Sequence, residues 1–127
     1  MGKKQNFMIG AYVNCAPSGL PIKIAAIHQK KVAYHACNSR LSWIRTGLIE
    51  GIAITPEFLE RNGFEKVQNL YVLKCSNSVY PSFIFVEYNI ANGAIFLNDA
   101  MIPKPVRFIH ELQHIFNVCE IDKEIVI

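Results

Sequence analysis

Five consecutive residues near the carboxyl end of the chain, His110-Glu111-Leu112-Gln113-His114, spell the H-E-x-x-H pattern of zinc metallopeptidases. On a helix, two histidines four residues apart lie on one face and can bind Zn²⁺ together, while the glutamate takes a proton from the metal-bound water. If the protein is an enzyme, the pattern therefore predicts Glu111 as its catalytic base, with His110 and His114 as metal ligands.

A catalytic zinc site also needs a third protein ligand. Glu120 stands six residues after His114, which is the separation of the third ligand in metzincins, but Asn117 replaces the Gly that makes their turn. Only thirteen residues follow His114, which is too few for a second helix that could carry a ligand. The remaining candidates are Glu120, Asp122, His28 and His35. On a helical wheel both histidines of the motif lie on the polar face. If the motif is functional, a second element covers this face and makes a cleft; otherwise solvent surrounds both histidines. We therefore treat a minimal zinc metallopeptidase as the alternative interpretation and expect no cofactor.

A second constellation lies in the first part of the chain. No Asp or Glu precedes Glu50, and seven Lys and Arg give that segment a charge of +7; six basic and ten acidic residues give the rest −4. Guanidinium and ammonium groups bind phosphate, and aromatic rings stack on nucleobases. The pattern favours an anionic, nucleotide-like ligand. The residues predicted to hold it are Lys23, Tyr34, Arg40, Trp43 and Arg45. The alternative is a core tryptophan with solvated basic neighbours.

Short strands are predicted before residue 55, because β-branched and aromatic residues alternate with credible turns. The predicted strands are 8–14, 22–28, 32–36, 41–45 and 48–54. Five short strands with tight turns are typical of a small SH3-like or otherwise strongly bent β-barrel. The two histidines of the second and third strands, His28 and His35, could face each other there.

In the second part of the chain the sequence pattern predicts a helix, an antiparallel meander and a final helix, in that order. Thr55-Pro56-Glu57 is a helix start and Asn62-Gly63 a stop. The predicted strands are 66–75, 83–89 and 94–98, with Asn92-Gly93 as a turn dipeptide between the last two. A final amphipathic helix over 105–119 should pack on this sheet through an apolar stripe. The tail 121–127 would add an edge strand. The fold class is α+β.

Composition predicts a single domain over residues 1–127, with a basic barrel at 7–54 and the helix–meander–helix part at 55–127. An apolar fraction of 51% with 18% charged residues excludes a disordered chain. We see neither a membrane span nor a signal peptide, and the widely spaced Cys15, Cys37, Cys75 and Cys119 predict reduced thiols. These features favour a cytoplasmic protein.

The chain resembles a group of small proteins encoded by phages, prophages and mobile elements of Bacteroides-type bacteria. The matching segments are Ile9-Gly10 with Val13, Pro21-Ile22-Lys23-Ile24, the run Ile52-Ala53-Ile54-Thr55-Pro56-Glu57-Phe58-Leu59 with Asn62-Gly63-Phe64, and Ile109-His110-Glu111-Leu112-Gln113-His114-Ile115. In that group Asn commonly stands at the position of His114, and Gln or Glu at that of Glu111. The resemblance therefore implies that the helix is kept for packing rather than for zinc.

These observations together favour a non-enzymatic accessory protein of a phage or mobile element that acts by binding. Its partner would be an anionic small molecule or a host protein, and sequestration of a nucleotide would antagonise host defence. Nucleic acid is a weaker candidate, because no helix-turn-helix or ribonucleoprotein motif is present. A structural or assembly role, with a homo-oligomer as its sign, is the second alternative.

Overall fold

A computed structural model describes residues 7–15, 19–36, 40–76 and 83–127. The protein is a mixed α+β molecule, in which the described sheets are antiparallel and a helix lies near the carboxyl end. The chain forms two compact units, Met1–Ile52 and Ala53–Ile127. In the described residues, no helix is both long enough and apolar enough to cross a bilayer.

The first unit contains two three-stranded sheets. Strands β1 (Tyr12–Cys15), β2 (Leu20–Lys23) and β6 (Ile49–Gly51) form one sheet, in the order β2-β1-β6. Strands β3 (Ala26–His28), β4 (Lys31–His35) and β5 (Leu41–Arg45) form the other, and a short 3₁₀ helix (Thr46–Leu48) joins β5 to β6. The first sheet therefore contains both the first and the last strand of the unit.

The strand predicted at 22–28 is divided in the structure, and the division moves the chain from one sheet to the other. Ile24 exchanges backbone hydrogen bonds with residues 10 and 11, whereas the Ala25 N–H donates to the Ala33 carbonyl at 2.7 Å. Ile24 is fully enclosed in the core at this corner, together with Val13 and Val32. Ile24-Ala25-Ala26-Ile27 is a continuous apolar run without a Gly, Pro, Asn or Asp, so the sequence pattern alone could not reveal the corner.

The second unit is built on one five-stranded meander with two helices. Helix α1 (Pro56–Arg61) precedes β7 (Glu65–Val67), β8 (Leu70–Cys75), β9 (Ile84–Tyr88), β10 (Ile95–Leu97) and β11 (Ala100–Met101), and helix α2 (Ile109–Val118) follows. The strand order β11-β10-β9-β8-β7 is that of an antiparallel meander. The single strand predicted at 66–75 is a hairpin here, because Gln68 at φ 55° turns the chain between β7 and β8.

Helix α1 confirms its predicted signals. The Thr55 hydroxyl accepts a hydrogen bond from the Phe58 N–H at 3.1 Å, and Pro56 occupies the first helical position. Both contributions stabilise the first turn, where backbone N–H groups have no helical partner. Phe58 and Leu59 bury the inner side of the helix.

Helix α2 begins at Ile109, so the prediction that Pro105 opens it was wrong. Residues 105–108 form backbone hydrogen bonds with other segments instead. The Val106 N–H donates to the Gly93 carbonyl at 2.7 Å, and the Arg107 carbonyl accepts from the Ile54 N–H at 3.1 Å. Gly93 permits this approach, because a Cβ there would lie 2.9 Å from the Val106 carbonyl oxygen. In a helix that began at Pro105 the Arg107 carbonyl would accept from the Glu111 N–H, but here it is bonded to Ile54 and the Glu111 N–H donates to the Phe108 carbonyl.

Cys75 is a buried free thiol, as predicted, while Cys37 lies outside the described residues. Burial raises the pKa of the Cys75 thiol, with nearby Lys123 opposing this change and Asp122 adding to it. The tail 121–127 is assigned to none of the described sheets, although Ile121 and Ile125 are buried. The predicted edge strand at the tail was therefore wrong.

Candidate functional site

Glu111 of the H-E-x-x-H motif caps helix α2. Its Oε1 accepts hydrogen bonds from the backbone N–H groups of Arg107 at 2.9 Å and of Phe108 at 3.0 Å. A carboxylate at this position satisfies backbone donors at the helix start and interacts favourably with the helix dipole. The side chain predicted as a catalytic base therefore has a structural task at the helix N-terminus.

The two histidines of the motif lie in different environments. His110 is only 4% exposed and stacks on the Phe108 ring, with 5.7 Å between the ring centroids and 13° between the planes. His114 is exposed one turn later. The alternative in which solvent surrounds both histidines was wrong for His110, because Phe108, in the extended segment before Ile109, lies against its ring. Burial lowers the pKa of His110, and the charge of Glu111 opposes this effect.

Zinc ligation requires three protein ligands around one point. Among the residues that the structure describes, no three His, Cys, Asp or Glu side chains are placed to hold a metal ion. His28 and His35 were predicted to face each other, but His28 pairs with Lys31 at the turn of the β3–β4 hairpin, and His35 lies at the far end of β4. They form no ligand pair.

The predicted ligand-binding residues do not form one cluster. Lys23 lies on β2 in the first sheet, where its Nζ stands 5.5 Å from the centroid of the Tyr12 ring. Arg40 is exposed just before β5, and its carbonyl accepts from the Ala36 N–H at 2.9 Å. Trp43 and Arg45 lie on β5 in the second sheet. Lys23 and this pair therefore lie on different sheets.

Tyr34 and Trp43 lie on opposite faces of the second sheet. Successive side chains of a strand alternate between faces, so Tyr34 shares a face with Val32, which is fully buried in the core. Tyr34 itself is half-buried. Trp43 is paired with Ala33 and projects to the other side, with 50% of its side chain exposed. One planar ligand cannot stack on both rings, and Trp43 is the accessible one.

The strand register defines the surface around Trp43. Lys31 lies directly opposite Arg45, and His28 lies opposite Lys31, so three basic side chains form one row across the sheet. The next row holds Ala33 and Trp43, and the row after that holds His35 and Leu41. We call this surface the Trp43 face: His28, Lys31, Ala33, His35, Leu41, Trp43 and Arg45.

Two features of the Trp43 face destabilise the fold and favour a bound ligand: a pair of like charges and exposed apolar side chains. Like charges directly opposite each other in an antiparallel pair destabilise it, and Lys31 with Arg45 is such a pair. The sequence of this unit supplies no Asp or Glu before Glu50 to offset them. Leu41 and Trp43 are each 50% exposed in neighbouring rows, whereas Ala33, opposite Trp43, is fully buried.

Sequence reasoning identified Trp43 and Arg45 but not Lys31 or His28. The missing information was the register of β3, β4 and β5, since the three basic residues are adjacent only across strands. A signal was present in the spacing, because the Gln29-Lys30 turn makes His28 and Lys31 a pair in any two-residue hairpin. No protein-family model, curated protein or solved structure matches this chain.

Proposed function

We propose that the protein acts by binding, and that the Trp43 face holds an anionic ligand that carries a planar ring, such as a nucleotide or a single-stranded nucleic acid. The observation that carries the proposal is the row of His28, Lys31 and Arg45 beside a half-exposed tryptophan. Lys31 and Arg45 bind phosphate and relieve their mutual repulsion by doing so. His28 adds a hydrogen-bonding imidazole at the end of the row.

Stacking on Trp43 supplies the second part of the interaction. Consecutive rows on one face of a sheet are about 7 Å apart, which is close to the distance between a base and its neighbouring phosphate. A base on the indole would therefore place its phosphate near the basic row. Stacking of a base on an aromatic side chain contributes about 1–3 kcal/mol and tolerates any base.

The proposal extends to the fold and the origin of the protein. We propose that the first unit is a bent barrel of the SH3-like kind, which the sheet switch at Ile24, the 3₁₀ helix before β6 and the pairing of β6 with β1 support. The resemblance to proteins of Bacteroides phages and mobile elements supports an accessory role there, without catalysis. Sequestration of a nucleotide is one way in which such a protein would act.

Trp43 is the only tryptophan of the chain, so the tryptophan fluorescence of the protein reports on the Trp43 face. We expect adenosine monophosphate or a single-stranded DNA of about eight nucleotides to quench its fluorescence at low salt, because the ligand stacks on the indole. Replacing both Lys31 and Arg45 by Ala should weaken binding at least tenfold, by about 1.4 kcal/mol or more. Equilibrium titration of the fluorescence measures both effects.

The matched control is a protein with Lys66→Ala and Lys104→Ala, which loses the same net charge from exposed positions of the second unit. This variant should bind as the wild type does. Absence of quenching by either ligand at millimolar concentration would refute the proposal and direct attention to a protein partner. An equal loss of affinity in the control would show that net charge, rather than the Trp43 face, attracts the ligand.

A further inference from the structure

The five-stranded sheet of the second unit has one side that is rich in exposed apolar residues. Tyr71, Leu73 and Cys75 of β8 are buried, so the alternate residues of this strand and of its neighbours point the other way. The register places the outward residues in rows across the sheet. We call this surface the Phe85 face: Glu65, Val67, Leu70, Val72, Lys74, Phe85, Glu87, Phe96 and Met101.

Large hydrophobic side chains on the Phe85 face remain in contact with solvent. Phe85 is 46% exposed and Met101 63%, and Phe83 at the border of the face is 55% exposed. Single exposed apolar residues are common, but a contiguous set on one sheet face marks a surface that another molecule covers. Lys74 holds its Nζ 4.2 Å from the centroid of the Phe83 ring, so a charged group borders the apolar centre.

We propose that the Phe85 face binds the same face of a second copy of this chain, forming a two-fold symmetric dimer. The argument is the placement of its charges. Lys74 lies opposite Phe85, and Glu87 lies opposite Val72, in consecutive rows of the β8–β9 pair. These four side chains form a rectangle, with opposite charges at the ends of one diagonal and apolar groups at the ends of the other.

A two-fold interface requires a surface that is complementary to itself. An axis that lies in the plane of the face, through the midpoint of the Lys74–Glu87 diagonal and perpendicular to it, places each Lys74 over the Glu87 of the other copy. The same rotation places Phe85 near the second Phe85 and Val72 near the second Val72, because the sides of the rectangle, about 4.8 and about 7 Å, differ by only about 2 Å. One operation therefore pairs Lys74 with Glu87 twice and brings the apolar groups together. The same axis brings Glu65, which lies beside Val72 on the edge strand β7, near the second Glu65, and their repulsion weakens the dimer.

The size of the face sets the expected affinity. Five strands at about 4.8 Å spacing and two to three rows give a face of roughly 20 Å by 15 Å, or about 300 Å² in projection. Standard interfaces bury about 800 Å² on each partner. We therefore expect a weak dimer with a dissociation constant in the micromolar range.

Sedimentation velocity of the full chain, from about 5 to about 500 µM, tests the dimer. We expect the weight-average sedimentation coefficient of the wild type to rise with concentration. Lys74→Glu and Glu87→Lys should each raise the dissociation constant about fivefold or more, because like charges then meet at the interface. The double variant K74E/E87K should return it to within about twofold of the wild type, since the pairs re-form with their signs exchanged.

Lys66→Glu is the matched control, because it makes the same charge change at an exposed position on β7 whose side chain alternates to the other face of the sheet. It should leave dimerisation unchanged. Phe85→Ser should abolish association while far-UV circular dichroism stays that of the wild type. The proposal would be overturned if the wild type stayed monomeric over the whole concentration range. It would also be overturned if Lys66→Glu raised the dissociation constant as much as Lys74→Glu does, or if the double variant did not recover the wild-type dissociation constant.

Discussion

His110 is a titratable side chain held inside the second unit. Its burial disfavours the charged imidazolium, which lowers its pKa in the folded protein relative to the ordinary value of about 6.5. Below that value the unfolded chain binds a proton at His110 that the folded protein does not. Stability must therefore fall as the pH is lowered from about 6.5 toward the folded pKa, by up to about 1.4 kcal/mol for each pH unit.

We predict that His110→Leu removes this acid sensitivity. The difference in unfolding free energy between pH 7.5 and pH 5, measured by urea denaturation, should be smaller in the variant than in the wild type. His114→Leu is the matched control for the substitution, because it makes the same change at an exposed position of the same helix. Parallel profiles for the wild type and His110→Leu would contradict the prediction.

Residue types alone did not decide what the residues of the H-E-x-x-H motif do. A glutamate near a helix start can activate water or cap the helix, and only the two backbone donors at 2.9 and 3.0 Å distinguish these roles. Trp43 and Arg45 could be identified from the sequence, because their residue types alone indicate stacking and phosphate binding. Lys31 and His28 gained significance through cross-strand pairing, which depends on register.

Asn62 joins two elements that are distant in sequence. Its Nδ2 donates to the carbonyls of Phe58 at 2.9 Å and Val126 at 2.8 Å, and its Oδ1 accepts from the Val126 N–H at 2.8 Å. The side-chain amide thus pairs with both backbone groups of Val126, as a residue of a neighbouring strand would. Asn62 is fully buried, so these groups have little access to water as substitutes.

We predict that Asn62→Ala destabilises the protein by about 2–4 kcal/mol, because three hydrogen bonds are lost and the backbone groups of Val126 lose their partner. Urea denaturation measures the loss, and faster exchange of the Val126 amide hydrogen would locate it in the tail. Asn117→Ala, on the exposed side of helix α2, should change stability by less than about 0.5 kcal/mol. A loss of similar size in both variants would argue against a specific role for Asn62.

Elements were predictable where local chemistry defines them and unpredictable where tertiary bonds do. The Thr55-Pro56 cap and the meander hairpin at Asn92-Gly93 depend on nearby residues, and both are present. The start of helix α2 was missed because bonds from Gly93 and Ile54 hold residues 105–108 extended. The tail was expected as a strand because nothing near it in sequence reveals that Asn62 replaces a strand partner.

The charge of the whole molecule is unevenly distributed along the chain. The segment before Glu50 carries +7 and the remainder −4, which sum to the net charge of +3. The folded first unit therefore attracts anions more strongly than the net charge implies, and oppositely charged residues of the second segment offset each other. At low salt this field should accelerate the approach of an anionic ligand to the Trp43 face.

Salt dependence separates this general field from contacts made on the Trp43 face. If Lys31 and Arg45 each neutralise one phosphate of a single strand, the slope of log K against log salt concentration should be about −1.4. Lys31→Ala should bring the slope to about −0.7, whereas Lys104→Ala should leave it unchanged. Trp43 quenching by the single-stranded DNA, from about 50 to about 300 mM salt, gives these slopes. A slope near zero would mean that stacking alone holds the ligand, and equal changes in both variants would mean that the field of the whole unit does.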